Sequence, residues 1–299
     1  MDERDIQTLE IHQTALTALQ APTKRFRGRG FFSALKALKA APPTRDWLEA
    51  SIMVGALKRG RPYNTLAFIN QLRNISKTDE DKKRAEKFIA KVTLYLSPTL
   101  LTSHGFIEPE NTFGQASHDE IWAGLERHMN VLKNAGLKVF LDSGPLLGLV
   151  RDGKLIDHDN DIDLGLILDA DSEEAAALEW KKIPQKLRDL GIFSEGSDKN
   201  PGLVRLTEVA GFTIDVFPAW FADNKAYIFP HTYGELKPED VFPFRVCKIT
   251  GLDQPAEPEK MLAVNYGTGW RTYDPLWKFE QPRGFDSFLA RILPTEDPK

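Results

Sequence analysis

The sequence predicts a mixed α/β domain, a sheet flanked by helices, preceded by an all-α helical bundle. Two observations carry this. Apolar residues recur at three- and four-residue spacing through the first hundred positions, the period of amphipathic helices. After position 117 short apolar strand runs alternate with helical segments, the pattern of a mixed sheet. With 299 residues the chain has room for two ordinary domains. A non-periodic stretch containing Pro, Ser and Gly at 97–116 marks the join. Residues 1–100 are expected to form the helical domain and 112–299 the second, mixed α/β one.

Composition narrows the classes. Hydrophobic residues at 41% and charged residues at 27% fit a globular chain able to bury a core. Lys and Arg total 39 against 43 Asp and Glu, so there is no global basic footprint and nucleic acid is not expected as a partner. Cys247 is the single cysteine, which excludes an intrachain disulfide and any zinc site needing two thiolates. No run approaches the ~18 apolar residues of a membrane span. The opening MDERDIQTLE lacks the apolar core of a secretory signal, and a cytoplasmic, reducing compartment is the expectation.

In chain order, residues 4–20 place Ile6, Leu9, Leu16 and Leu19 at helical spacing, with Pro22 as a stop. Residues 45–58 and 62–76 are two further amphipathic segments separated by Gly60, Arg61 and Pro62. In 78–96, Thr78 reads as an N-cap before Asp79, Glu80 and Asp81, which suit the helix dipole, and Pro98 ends the segment. The stretch 24–39 carries six Lys/Arg and no acid, with Phe26, Phe31, Phe32, Leu35 and Leu38 interleaved. It supports two readings: contact with an anionic partner, either the inner membrane face or a phosphate-rich polymer, and a solvated basic loop feeding an ordinary core helix. Residues 118–135 predict a helix with Ile121, Leu125, Met129 and Leu132 on one face and Gly136 at its C′ position. Strands are expected at 138–141 and 162–168, a short helix at 144–151, and a helix at 172–190 interrupted by Pro184. Residues 202–208 and 211–217 read as a strand pair. The prolines between 218 and 258 predict irregular structure.

The chemistry is concentrated in LIDHDNDIDLGLIL at 155–168, where Asp157, Asp159, Asp161 and Asp163 recur at every second position. In an extended strand such residues share one face, while Ile162, Leu164 and Leu166 face a core. Like charges so placed repel unless a cation neutralises them, and hard oxygen ligands suit Mg²⁺ or Mn²⁺. Asp215 is the only charged residue of FTIDVF and is costly to bury alone. The economical arrangement sets it across from Asp161 and Asp163 as the third acid of a metal site; the alternative is a solvent-facing Asp on an edge strand. A calcium loop opening at Asp157 would need Gly and Glu where Ile162 and Leu168 stand, so that reading fails. Upstream, Ser143 and Gly144 form a turn at a helix start, a ready anion site, and Arg151 near that helix's end could fork onto a phosphate.

These motifs together resemble the LicD/fukutin family. The residues carrying the resemblance are LDSGPLLGLVRDGKLIDHDNDIDLGL, then FTIDVFP, then PAEPEKMLAVNYGTGWRTYDP, over roughly 117–275. The resemblance implies the polymerase-β-like nucleotidyltransferase fold. It implies Mg²⁺-dependent transfer of phosphocholine or a polyol phosphate, such as ribitol or glycerol phosphate, from a CDP-linked donor to a glycan or phosphopolymer hydroxyl, releasing CMP. The setting would be capsule-like or teichoic-acid-like polymer synthesis. Carried over, Asp161 and Asp163 are metal ligands and Asp215 the third carboxylate, while Ser143, Gly144 and Arg151 fall on the phosphate side. The sequence departs from the family pattern at Asp157-His158, Asn160 and Pro145.

Other candidates are His158, a proton shuttle or a structural histidine; Arg205, a grip on the donor diphosphate or a structural ion pair; and Lys248 with Arg245 as acceptor-side charges. Trp220, Tyr266 and Trp270 are either base-stacking or packing aromatics, and Cys247 reads as a small buried hydrophobe. Rival activities are a nucleotidyltransferase releasing pyrophosphate, a DxD glycosyltransferase, and a non-catalytic docking module.

Overall fold

The helical periods of the first hundred residues fold into α1 (Glu3–Gln20), α2 (Phe31–Ala37), α3 (Arg45–Lys58), α4 (Pro62–Ile75) and α5 (Asp79–Leu96). Caps fix two of the starts. The Thr44 hydroxyl accepts from the Trp47 amide at 3.3 Å, and the Thr78 hydroxyl from the Asp81 amide at 3.1 Å. Helix α3 is buried at every position from Trp47 to Ala56, so it is the centre of the bundle, with Ile11 and Ala15 of α1 and Leu66, Ile69 and Leu72 of α4 in the same core.

The computed structural model describes residues 2–20, 26, 28–102, 105–196, 201–277 and 284–293. Pro22 and, within the basic stretch, Lys24, Arg25 and Arg27 lie outside the described residues. The chain divides into two units, Met1–Asn111 with Asp274–Lys278, and Thr112–Tyr273 with Phe279–Lys299. The stretch read as a non-periodic join holds a hairpin in the first unit, β1 (Leu100–Thr102) against β2 (Gly105–Ile107). Strands of three residues are too short to show an alternating period, so the sequence pattern does not reveal them.

In the second unit α6 (His118–Asn134) starts at Ser117, whose hydroxyl accepts from the Glu120 amide, and ends before Gly136 at φ 78°, a left-handed position that favours glycine. There follow β3 (Lys138–Leu141), α7 (Ser143–Asp152), β4 (Asp161–Ile167), α8 (Glu173–Trp180), α9 (Ile183–Asp189), β5 (Val204–Val209) and β6 (Phe212–Ala222). Next come β7 (Lys225–Ile228), β8 (Thr232–Leu236), α10 (Pro238–Val241), β9 (Arg245–Val246), β10 (Asp253–Gln254), α11 (Pro258–Tyr266) and α12 (Asp286–Ile292). The main sheet runs β3-β4-β6-β7-β8, with β5 also on β6. Only β4 and β6 are parallel; the remaining pairs are antiparallel.

The irregular structure expected between 218 and 258 is corrected by β6, β7 and β8, which extend the sheet. Pro218 is tolerated inside β6 because it falls between Val216, the last residue paired with β5, and Ala219, the first paired with β7. One sheet face packs Val139, Leu141, Ile162, Leu164, Ile214 and Val216 against α6, α8, α9 and α12. The other packs Phe140 and Ile167 against Leu146 and Leu147 of α7 and Met261 and Leu262 of α11. Cys247 is buried in the first of these cores. Among the described residues no helix is long and apolar enough to cross a membrane.

Candidate active site

Strand register assembles the site. Leu141 of β3 pairs with Leu164 of β4, and at the next rung the Asp142 amide donates to the Asp163 carbonyl at 3.1 Å. Asp163 is the register partner of Asp215 on β6, and Asp215 that of Arg205 on β5. One row across four strands therefore reads Asp142, Asp163, Asp215, Arg205. Asp161 lies two residues before Asp163 and so shares its face, while Ile162 and Leu164 enter the core behind.

The four-acid alternation expected from 157 to 163 is halved. β4 begins at Asp161; before it the Asp159 amide donates to the Ile156 carbonyl at 3.0 Å, a turn that ends the two-residue period. Asp157 leaves the site, exposed and paired with Lys154 at 2.7 Å. Asp159 is buried and stays: a Cβ placed on Gly144 would lie 2.5 Å from its Oδ2 and 4.0 Å from Oδ2 of Asp163. Gly144 thus leaves the space that these carboxylates border.

The electrostatics follow from the crowding. Burial pushes the Asp163 carboxyl well above its usual range, and the charges of Asp161, Asp159, Asp215 and Asp142 push it further. Burial raises Asp142 to about 6, opposed by hydrogen bonds from the Ser143 amide and the Asn265 side chain. Those donors reach Asp142 Oδ1 at 2.7 and 3.4 Å, and the Thr232 hydroxyl donates to Asn265 Oδ1 at 3.0 Å, fixing the amide. Tyr266 follows Asn265 at the end of α11; its phenol is held well above 10 by burial and then by Asp163, Asp159, Asp142 and Asp161. Arg205 grips Asp215 through Nε at 2.8 Å and Nη2 at 3.3 Å, yet its side chain is 46% exposed against 6% for Asp215. Its guanidinium is held above its ordinary pKa first by the Asp215 hydrogen bond and, against a burial that lowers it, by the charges of Asp215 and Asp161.

Ser143, at φ 43°, opens α7 in left-handed backbone, an uncommon conformation for a non-glycine that marks functional turns. It and Gly144 are buried beside the acids. Arg151 is not brought there. Eight residues along α7, about 12 Å of helix, it forks onto Asp152 and lies 5.4 Å from the Tyr273 ring. His158 meets the same tyrosine, Nδ1 to hydroxyl at 3.0 Å, so Arg151, His158 and Tyr273 form a separate group. Lys248 is exposed in the turn joining β9 and β10, outside the row, and Arg245 is exposed on β9. Trp220 is a packing residue, buried and stacked on Tyr227 and Phe288, and Trp270 is buried with Arg271 over its ring.

Sequence reasoning missed Asp142, Asn265 and Thr232. Asp142 immediately precedes Ser143 in a motif already singled out, but only the β3–β4 register shows it facing Asp163. In the helical unit His12, Asp46 and Glu49 bring ligand atoms within 4.8 Å of one another, a grouping that could hold a metal ion. There the Arg45 guanidinium already contacts Glu49 at 3.3 Å.

A family model described as LicD/FKTN/FKRP, nucleotidyltransferase domain, matches residues 136–257. The match spans the whole Asp142–Asp163–Asp215–Arg205 row and stops short of Asn265 and Tyr266. No curated protein matches the chain.

Proposed function

We propose, for a chain that belongs to the LicD/FKTN/FKRP family through residues 136–257, a divalent-cation-dependent phosphotransferase. It moves a polyol-phosphate or phosphocholine group from a CDP-linked donor to a glycan or phosphopolymer hydroxyl and releases CMP. Residues 112–299 are its catalytic domain and residues 1–100 its helical one. The observation that carries this reading is the set of carboxylates on adjacent strands, with Asp163 in register with Asp215.

The donor set fits a hard cation. It is made of carboxylate oxygens, burial and then their mutual repulsion raise Asp163, and Gly144 leaves open the space they border. Asp161, Asp163 and Asp215 would hold Mg²⁺ or Mn²⁺. When bound, such an ion offsets the charge of the phosphates and polarises the transferring group. The remaining work belongs to this chain's own residues. Arg205, oriented by Asp215, offers its exposed edge to the donor diphosphate. Ser143 and Gly144 border the phosphate side at the start of α7. Asp215 serves either as the third ligand of the cation or as the base that takes the proton of the attacking hydroxyl. Asn265 and Thr232 keep Asp142 aimed at the row.

Asp161→Asn and Asp163→Asn should each abolish CMP release from CDP-ribitol, CDP-glycerol or CDP-choline, with circular dichroism unchanged. Full turnover in both variants would end the assignment. The nucleotidyltransferase wording of the matched family supports a second reading, NMP transfer with release of pyrophosphate. Identifying the released product separates the two.

A further inference from the structure

The helical unit carries a charged surface that the transfer chemistry does not use. Between Glu10 and Asp46 the chain has no acid and seven Lys/Arg. The apolar residues of this stretch face inward. Leu35 is buried, its carbonyl accepts from Trp47 Nε1 at 2.7 Å, and Phe31, Phe32 and Leu38 pack against the bundle core. What α2 and its flanks leave exposed is Arg29, Lys36 and Lys39.

The α3–α4 turn adds three more exposed cations, Lys58, Arg59 and Arg61. Ring contacts place the turn beside α2: the Lys58 ammonium lies 5.6 Å from the Phe26 ring and the Arg61 guanidinium 4.9 Å from the Phe32 ring. Arg59 and Arg61 both take left-handed backbone, at φ 44° and 53°, on either side of Gly60. Arg59 is paired with Glu108 at 3.2 Å. Two sequence-distant segments thus build one basic face.

We infer that this face binds a phosphodiester polymer through its phosphates. Arginines present planar forks that match phosphate oxygens, which suits repeated anionic groups along a chain. Insertion into a bilayer would need apolar side chains at the surface. Here Leu35 is buried, Phe26, Phe31, Phe32 and Leu38 are half-buried against the bundle core, and cations lie over the Phe26 and Phe32 rings, which favours a polymer over lipid.

The test is anisotropy of a fluorescently labelled linear poly(glycerol phosphate) titrated with the full chain at several salt concentrations. Engagement of about five phosphates predicts a log–log salt slope of about −3 to −4. Arg29→Gln/Lys36→Gln/Lys58→Gln/Arg61→Gln should weaken binding at least tenfold and flatten that slope. Because Lys58 and Arg61 also touch rings, Arg29→Gln/Lys36→Gln is the second variant, expected to lose about threefold. Asp161→Asn should bind the polymer as the parent does, so failure of this inference is distinguishable from failure of the transferase reading. Parent-like binding by a folded quadruple variant would overturn the inference. If that variant does not fold, parent-like binding by the double variant would do so. Binding of the parent to phosphatidylcholine/phosphatidylglycerol vesicles but not to the polymer would also overturn it.

Discussion

Glu49, buried in the helical unit, and Asp163, half-buried in the sheet unit, are both carboxylates removed from bulk water, and their surroundings treat them in opposite ways. Burial alone would raise Glu49, but hydrogen bonds from His12 and Arg45 outweigh it, and its pKa is lowered. Asp163 has acids for neighbours, and burial and then their charges push it upward. A compensated charge of the first kind is an ordinary element of folding. A set of the second kind, relieved in part by the Arg205 fork on Asp215 and the donors on Asp142, is held together by backbone register against its own repulsion, the arrangement found where a protein prepares a site for a cation or a reaction.

The largest effect that would sharpen this contrast is on turnover. Asp163→Asn should lower the rate of CMP release by at least about two to three orders of magnitude, whereas Glu49→Gln should leave it near parental in folded protein. Stability should show the reverse. Glu49→Gln breaks a buried ion-paired group and should cost about 3 kcal/mol in chemical denaturation, while metal-free Asp163→Asn should be no less stable than the parent. Equal destabilisation by the two would erase the contrast. A smaller effect is expected at Asn265. Its replacement by Ala frees Asp142 and leaves the Thr232 hydroxyl without this acceptor, so about tenfold lower kcat and a loss of about 1 to 2 kcal/mol should follow.

The smallest effect lies in pH. Asp142 titrates near 6 in the fold against an ordinary 3.8. The native state therefore holds its proton longer, and stability falls as pH rises from about 4 to about 6. Glu49 is shifted downward from 4.5, so its contribution is present above that value and is lost as pH drops through the lower, folded one. Added Mg²⁺ should accordingly raise the melting temperature at pH 7 and have little effect at pH 4, as differential scanning fluorimetry would show. An equal rise at both values would detach the cation from the acids.

Much of this was readable from local pattern. The alternation around Ile162 and Leu164, the FTIDVF run, the Thr78 cap and Gly136 each declare their element within a few residues. The convergence of Asp161, Asp163 and Asp215 on one face could be anticipated because Ile214 and Val216 need the same core as Ile162 and Leu164. What escaped was non-local. Asp142 joins the row only through the pairing of β3 with β4, and Asn265 reaches it from α11, more than a hundred positions later in the chain. Arg151 looked close to Ser143 in sequence, but helical rise carries it toward Tyr273 instead. The prolines after 217 masked the second half of β6 and all of β7 and β8, since the local signal of a breaker does not reveal that the strand is changing partners there.

Binding of Mn²⁺ followed by electron paramagnetic resonance, in the parent, Asp163→Asn and Glu49→Gln, tests the central claim most directly. The account predicts a bound ion in the parent and in Glu49→Gln, and its loss in Asp163→Asn. An ion retained by Asp163→Asn and lost from Glu49→Gln would contradict it and move the metal to His12, Asp46 and Glu49.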